Sequence, residues 1–323
     1  MKIMVTGGAG YIGSHTCKEL VNHGHNVIVY DNLSTGHREF VRYGDFEYGD
    51  IRDTQNLRAC LKRHAPDGII HFAASAYVGE SVVFPGKYFH NNVVGTLSIL
   101  DAMRDEHISN IVVSGTCAVY GQPNKIPISE DCPSNPINPY GASKLFMERM
   151  LADYATAHDI RWCSLRYFNA AGGSADGEIG EWHDPETHLI PRVIMAGLGK
   201  IPSVDILGDD YDTPDGTCIR DYIHVEDLAR AHVLAMQRLL EGGENLAVNL
   251  GTGRGASVRE IVTGIGEVLG RSVPHTVRPR RPGDPARLVA DASRARSVLH
   301  WEPVIDLTRT LADACVYARK LYA

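Results

Sequence analysis

No run of about eighteen apolar residues occurs in this chain, so no segment is expected to span a membrane. Basic residues are in the minority. There are 32 Lys and Arg against 39 Asp and Glu, and the net charge of −7 argues against general nucleic-acid binding. An anionic ligand would then have to be held by a few placed cations. The seven cysteines (Cys17, Cys60, Cys117, Cys132, Cys163, Cys218, Cys315) include no C-x-x-C pair. Their odd number and irregular spacing suit reduced thiols in a cytoplasm. Neither His23 with His25 nor His183 with His188 shows H-x-x-x-H spacing with a carboxylate third ligand. Both pairs are read as surface or structural, and no metal is expected. Internal repeats and low-complexity linkers are absent, and the strand that opens the chain leaves no room for a signal peptide.

What is present is ordinary for a globular enzyme: 323 residues, 44% hydrophobic and 22% charged. The first half alternates short apolar strands, expected at 2–7, 26–31, 45–49, 68–73, 110–115 and 161–168, with helical segments. Continuous runs such as Ile69-Ile70-His71-Phe72-Ala73 belong to strands buried on both faces, hence to a parallel sheet covered by helices. A long helix is expected near 140–158. After residue 170 the rhythm breaks at Gly172 to Gly177 and again at Gly208 to Gly216. Leu228, Ala231, Ala235 and Leu239 then recur at helical spacing, and 245–250 reads as a returning strand. The expected fold is α/β, a Rossmann-type doubly wound parallel sheet with a smaller, interwoven C-terminal substrate-binding lobe. Residues 1–171, with 223–250 returning to them, form the first part. Residues 172–222 and 251–323 form mainly the second.

Directly behind Ile3-Met4-Val5 stand Gly7-Gly8-Ala9-Gly10-Tyr11-Ile12-Gly13, a strand, tight turn and helix start. Such a turn lets backbone N–H groups approach a pyrophosphate, whose charge the helix N-terminus favours. The G-x-x-G-x-x-G spacing belongs to the reductase/epimerase branch of dinucleotide folds. A second apolar strand ends in Asp31, where a carboxylate accepts from an adenosine ribose and repels a 2′-phosphate, which points to NAD.

Tyr140 and Lys144 lie four apart at the start of a helix and so share a face. A free tyrosine is a poor base at neutral pH; a nearby ammonium favours the phenolate and makes Tyr140 a possible base for an alcohol. Upstream, the strand through Val113 ends in Ser114 and Thr116 at the sheet edge where α/β folds bind ligands. Thr116 can hydrogen-bond the hydroxyl that Tyr140 deprotonates.

These motifs, with Gly49-Asp50-Ile51, Phe72-Ala73-Ala74, Asn91-Asn92-Val93, Arg166-Tyr167-Phe168-Asn169, Arg220-Asp221-Tyr222-Ile223-His224 and Arg281-Pro282-Gly283-Asp284, carry a resemblance from residue 1 to about 302. The chain resembles the UDP-glucose (UDP-galactose) 4-epimerase family of the extended short-chain dehydrogenase/reductase superfamily. The resemblance implies tightly bound NAD, a UDP-sugar substrate and a cytoplasmic homodimer pairing through helices near 86–105 and 140–158. Gly7, Gly10, Tyr11, Ile12 and Gly13 would line the pyrophosphate. Asp31 and Asn32 would hold the adenosine ribose, with Asp50 and Ile51 flanking the adenine. Phe72, Ala73, Ala74, Asn91, Ser114 and Tyr167 would lie along the dinucleotide. Lys144 would bind the nicotinamide ribose and tune Tyr140. On the substrate side, Asn169, Arg220 and Arg281 would meet the diphosphate, Leu189 the uracil side and Asp284 the uridine ribose. Leu288 would restrict room for a 2-N-acetyl group. Ala76 and His188 stand where relatives often have lysine and asparagine, so those two contacts are not carried over; Thr116 replaces serine but keeps the hydroxyl.

The implied chemistry is 4-epimerisation of UDP-galactose and UDP-glucose through a 4-keto sugar, with the UDP-xylose/UDP-arabinose pair also open. Sugar dehydratases of the superfamily follow the threonine with Asp-Glu; here Cys117-Ala118 follow Thr116. A non-catalytic NAD-sensing regulator has no need of the Thr116, Tyr140 and Lys144 set.

Overall fold

A computed structural model of the chain describes residues 1–281 and 283–323. Its first half runs β1 (Lys2–Thr6), α1 (Tyr11–Asn22), β2 (Asn26–Asp31), β3 (Asp45–Tyr48), α2 (Thr54–His64) and β4 (Gly68–His71). A broken helical stretch follows: α3 (Val78–Val83), α4 (Pro85–Tyr88), a π-helical turn over Phe89–Val94, and α5 (Gly95–Asp105). Next come β5 (Asn110–Thr116), α6 (Pro139–His158) and β6 (Arg161–Tyr167). The second half holds β7 (Asn169–Ala171), α7 (Leu189–Gly197), β8 (Val204–Leu207), β9 (Ile219–Arg220), β10 (Tyr222–His224), α8 (Val225–Leu240) and β11 (Leu246–Leu250). It closes with β12 (Ala256–Ser257), α9 (Val258–Leu269), β13 (His275–Arg278), β14 (Arg287–Leu288), α10 (Ser293–Leu299) and α11 (Leu307–Leu321).

The central sheet has seven parallel strands in the order β3-β2-β1-β4-β5-β6-β11. The expected doubly wound architecture is therefore present, with strand limits within two residues of those read from the sequence. Alternate residues along each strand serve opposite faces. Ile3, Val5, Val27 and Val112 pack with Cys17 and Leu20 of α1 and Leu228 and Met236 of α8. Met4, Ile28 and Ile111 pack with Leu57 of α2, Ile99 of α5 and Leu151 of α6. Both faces are thus buried, which explains the unbroken apolar runs. Chain order reverses between β1 and β4, and a crevice at that switch point receives the ends of both strands.

The second lobe has its own core, where Val193 of α7, Ile206 of β8, Ile261 and Ile265 of α9, and Leu311 of α11 meet. Residues 251–323 are not all on that side, because Ala295, Leu299 and Trp301 bury into the core of the large sheet. The reason is β11: once it joins the sheet edge beside β6, α10 packs over it, and Trp301 Nε1 donates to the Asp227 carbonyl of α8 at 2.9 Å. Among the described residues no helix is long and apolar enough to cross a membrane.

Candidate active site

The glycines at the crevice are needed for distinct reasons. Gly7 sits at φ +74, and a Cβ there would lie 2.5 Å from the Ala73 nitrogen at the end of β4. A Cβ on Gly13 would run into the Gly7 carbonyl, so the helix can lie on the loop only as glycine. Gly10 is the N-cap of α1 and makes no side-chain cap, which leaves first-turn N–H groups to a ligand. Ile12 faces the sheet core. The Tyr11 hydroxyl donates to the Gly172 carbonyl at 2.9 Å, so this side chain ties the nucleotide loop to the start of the second lobe.

Asp31 closes β2. Its carboxylate accepts from Ala9 N at 3.0 Å and Leu33 N at 2.8 Å, and burial lifts its pKa against those bonds. It therefore shapes the glycine loop. Asn32 Nδ2 donates to Asp50 at 2.9 Å. Arg52 grips the same Asp50 through Nε at 2.9 Å and a guanidinium NH2 at 2.6 Å, which holds the carboxyl well below its usual range. Ile51 is buried toward α5. Phe72 packs on His232 at 4.6 Å between ring centres, while Phe72 N and Ala73 N both donate to the Thr6 carbonyl. Ala74 follows them, half-buried, and Asn91 Nδ2 donates to Asn92 at 3.1 Å.

The chemical centre forms where β5 ends. Asn138 caps α6 by accepting from Gly141 N at 2.8 Å, and Pro139 stands at its first turn, so Tyr140 and Lys144 enter on a fixed helix start. Burial pushes the Tyr140 phenol up to about 12, opposed by a hydrogen bond from Thr116. Lys144 is buried and donates from Nζ to both the carbonyl and the hydroxyl of Ser114, each at 2.9 Å. Desolvation brings its ammonium down to about 7, opposed by Glu148. Burial and Cys117 raise the phenol and Thr116 lowers it, while the Lys144 ammonium is hydrogen-bonded to Ser114. Burial raises the Tyr167 phenol as well, with Tyr140 raising it further and Ser114 lowering it. Thr116, Tyr140, Ser114, Lys144 and Tyr167 are thus one group.

On the other side of the crevice, Arg220 and Asp284 pair with each other at 2.6 Å. Leu288 lies in register with Arg220 across β9 and β14. Asn169 opens β7 and faces Tyr222 of β10. Leu189 begins α7 against the second core. Arg281 is exposed, beside the undescribed residue 282.

Sequence reasoning passed over four supports. Glu148 of α6 accepts from Ser164 Oγ at 2.7 Å and from Arg166 Nε at 2.8 Å, and Arg166 donates on to Tyr120, which donates to Asn249 at 2.7 Å. This buried chain fixes α6, and with it Tyr140, to the sheet. Asn92 joins Ser75 to Ser143 of α6. Asp221 accepts from Thr252, Gly253 and Ala290, which holds β9 and β14 in place. Last, His183 and His188, read as lacking a carboxylate partner, meet two: Glu181 and Glu186 lie with them in one cluster. The sequence motifs held Arg166, Asn92 and Asp221, but their partners come from segments distant in sequence.

The model of the NAD dependent epimerase/dehydratase family matches residues 3–251. A UDP-glucose 4-epimerase of Rhizobium meliloti is 53% identical over 312 residues, 97% of this chain and 95% of that one. Among solved structures, the UDP-glucose 4-epimerase of Brucella ovis in complex with NAD is 56% identical, with TM-score 0.96 over 98% of both chains. The UDP-glucose-4-epimerase of Stenotrophomonas maltophila with bound NAD and formylated UDP-arabinopyranose is 41% identical, with TM-score 0.97 over 100% of this chain and 99% of that one. Fold, glycine loop and these likenesses agree, and the chain belongs to the NAD dependent epimerase/dehydratase family.

Proposed function

We propose that this chain interconverts UDP-galactose and UDP-glucose by 4-epimerisation, with NAD retained between turnovers. The observation that carries the reading is the meeting of Tyr140, Thr116 and Lys144 at the sheet edge beside an uncapped helix start, in a chain whose relatives act as UDP-glucose 4-epimerases. The residues fit NAD: Gly7 and Gly13 form a cradle that any Cβ would fill, and the Asp31 carboxylate beside the glycine loop is of the kind that would accept from a ribose. When bound, NAD supplies a reversible hydride acceptor.

The rest is the work of side chains. Tyr140 takes the proton of the sugar 4-hydroxyl, with Thr116 sharing the hydrogen bond, and gives a proton back after the sugar has turned. A buried phenol near 12 is a strong base that is rarely ionised at neutral pH, so it needs a cation close by. Lys144, one helical turn on, is the residue placed to supply one. Asn169, Arg220, Arg281 and Asp284 hold the UDP and leave the sugar loosely gripped, so that binding energy from the non-reacting part retains the intermediate. Arginine suits the diphosphate because its planar fork matches phosphate oxygens.

Elimination chemistry is disfavoured because Cys117, the residue after Thr116, is no acid or base: burial pushes its thiol up to about 12. UDP-arabinose and UDP-xylose stand as a second substrate pair, favoured by the UDP-pentose held by the Stenotrophomonas relative and by the weak discrimination of a pocket against a missing group. Leu288 disfavours N-acetylated sugars.

The active unit is a homodimer. Val83, Phe84, Leu97 and Phe146 are exposed apolar residues on α3–α5 and α6, and Val83 and Phe84 are 67% and 60% exposed. A monomer mass in sedimentation equilibrium would refute this. Seven unpaired cysteines suit a reducing cytoplasm.

Replacing Tyr140→Phe tests the mechanism. Turnover should fall by roughly 10³ or more while UDP still binds; near-normal turnover would remove Tyr140 from its role.

A further inference from the structure

Between Gly180 and α7 the chain forms a strap, Glu181-Trp182-His183-Asp184-Pro185-Glu186-Thr187-His188, whose side chains no step of the reaction above employs. Its Trp182 ring stacks flat on His37, 3.6 Å between centres and 2° from parallel. His37 N in turn donates to the Ala9 carbonyl of the glycine loop at 2.9 Å. The strap is therefore braced against the nucleotide loop.

Within the strap, four donor groups converge. His188 Nδ1 lies 2.6 Å from Glu181 Oε1 and 3.9 Å from Glu186 Oε1; His183 Nδ1 lies 3.2 Å from Glu186 Oε2 and 3.7 Å from Glu181 Oε1. Tetrahedral ligands at bonds of about 2.0–2.2 Å stand roughly 3.3–3.6 Å from one another, inside this range. Both carboxylates are deeply buried, with side chains only 7% and 4% exposed, and among the described residues neither pairs with a lysine or arginine. Two neighbouring buried carboxylates and two imidazole nitrogens offer a divalent cation four ligand atoms and the charge to balance it. The carboxylate of Glu186 is pre-aimed as well: Thr187 N and His188 N both donate to Oε1 at 2.8 Å, which leaves Oε2 toward His183. Backbone donors that fix a carboxylate in this way are what a metal's outer shell provides. His188 is 46% exposed, which gives an ion its way in.

We propose that Glu181, His183, Glu186 and His188 bind one first-row divalent transition-metal ion, with zinc the best match to two imidazoles and two carboxylates. The ion staples the strap on itself and so braces Trp182 and His37 over the nucleotide loop. It takes no part in the chemistry at Tyr140. The reading replaces the expectation, drawn from spacing alone, that these histidines lack carboxylate partners.

The test is metal uptake by the NAD-containing full-length protein. After chelator treatment and desalting, zinc is titrated in by calorimetry, and cobalt is added in parallel to look for the intense visible bands of a tetrahedral site. About one equivalent should bind tightly. That equivalent and its cobalt spectrum should be lost in His183→Ala/His188→Ala and kept in His23→Ala/His25→Ala. Should the double variant fold poorly, Glu181→Gln keeps shape and hydrogen bonding, and should weaken zinc by at least about tenfold. No stoichiometric uptake by the parent protein, or uptake that the strap variants leave unchanged, overturns the proposal and leaves the cluster a hydrogen-bonded latch.

Discussion

Lys144 Nζ donates to Ser114 twice, to its carbonyl and its hydroxyl oxygen, at 2.9 Å each. A lysine buried in this way has lost the solvation that keeps an ammonium charged. Its pKa stands near 7 in the folded chain, against about 10.4 for a free lysine. Its burial is a cost to the fold.

A pH signature follows. Below about 7 the ammonium is charged in the folded and unfolded states alike, and the folded state bears the full desolvation cost. Between that pH and about 10.4 the folded chain releases the proton first, so the cost shrinks; above it both states are neutral and the cost is gone. Lys144→Met, measured on cofactor-free protein, should therefore match or exceed the parent in stability at pH 6.5, by an amount on the order of 1–3 kcal/mol. The advantage should fade toward pH 10, and turnover should be lost throughout. Thermal melts across that range check it; a variant less stable at every pH would show that the lysine supports the fold.

Glu148 does the opposite work. With Arg166, Tyr120 and Asn249 it forms a buried chain of charge and hydrogen bonds between α6 and the sheet. Glu148→Ala leaves the Arg166 guanidinium buried without its carboxylate and should cost about 3–5 kcal/mol. Glu148→Gln, which keeps one acceptor, should cost less. Urea unfolding measures both, and a loss under about 1 kcal/mol for the alanine variant would mean that α6 is positioned by packing alone.

Arg220 and Asp284, paired at 2.6 Å across the substrate side, should act on binding and not on chemistry. Arg220→Ala is expected to raise KM for UDP-galactose by roughly 10²-fold while kcat changes by less than about threefold, the pattern of an interaction equal in ground and transition states. Asp284→Asn should raise KM by a smaller factor. A fall in kcat with KM unchanged would place Arg220 at the reacting sugar.

The parts of this account that were legible in the sequence are local ones. Gly7 to Gly13 behind Val5 is strand, turn and helix within one short stretch, and Tyr140 with Lys144 is a single helical turn. The sheet was legible because strands buried on both faces read as unbroken apolar runs. Features built by tertiary contact were not. Glu148 meets Arg166, and Tyr120 meets Asn249, only after β5, β6 and β11 assemble side by side. The pairing of Arg220 with Asp284 requires β9 and β14 to be neighbours. The cluster at His183 and His188 escaped a rule that assumes a helix: it lies on a loop, where one-turn spacing sets nothing. Trp301 belongs to the sheet core only because β11 returns the chain to the sheet edge.

The most direct test is to incubate the purified protein with UDP-galactose, with no NAD added, and to measure UDP-glucose. Formation of UDP-glucose at many turnovers per chain is the predicted result, and it would demonstrate 4-epimerisation and a retained cofactor together. No UDP-glucose, even after NAD is supplied in excess, would contradict the account.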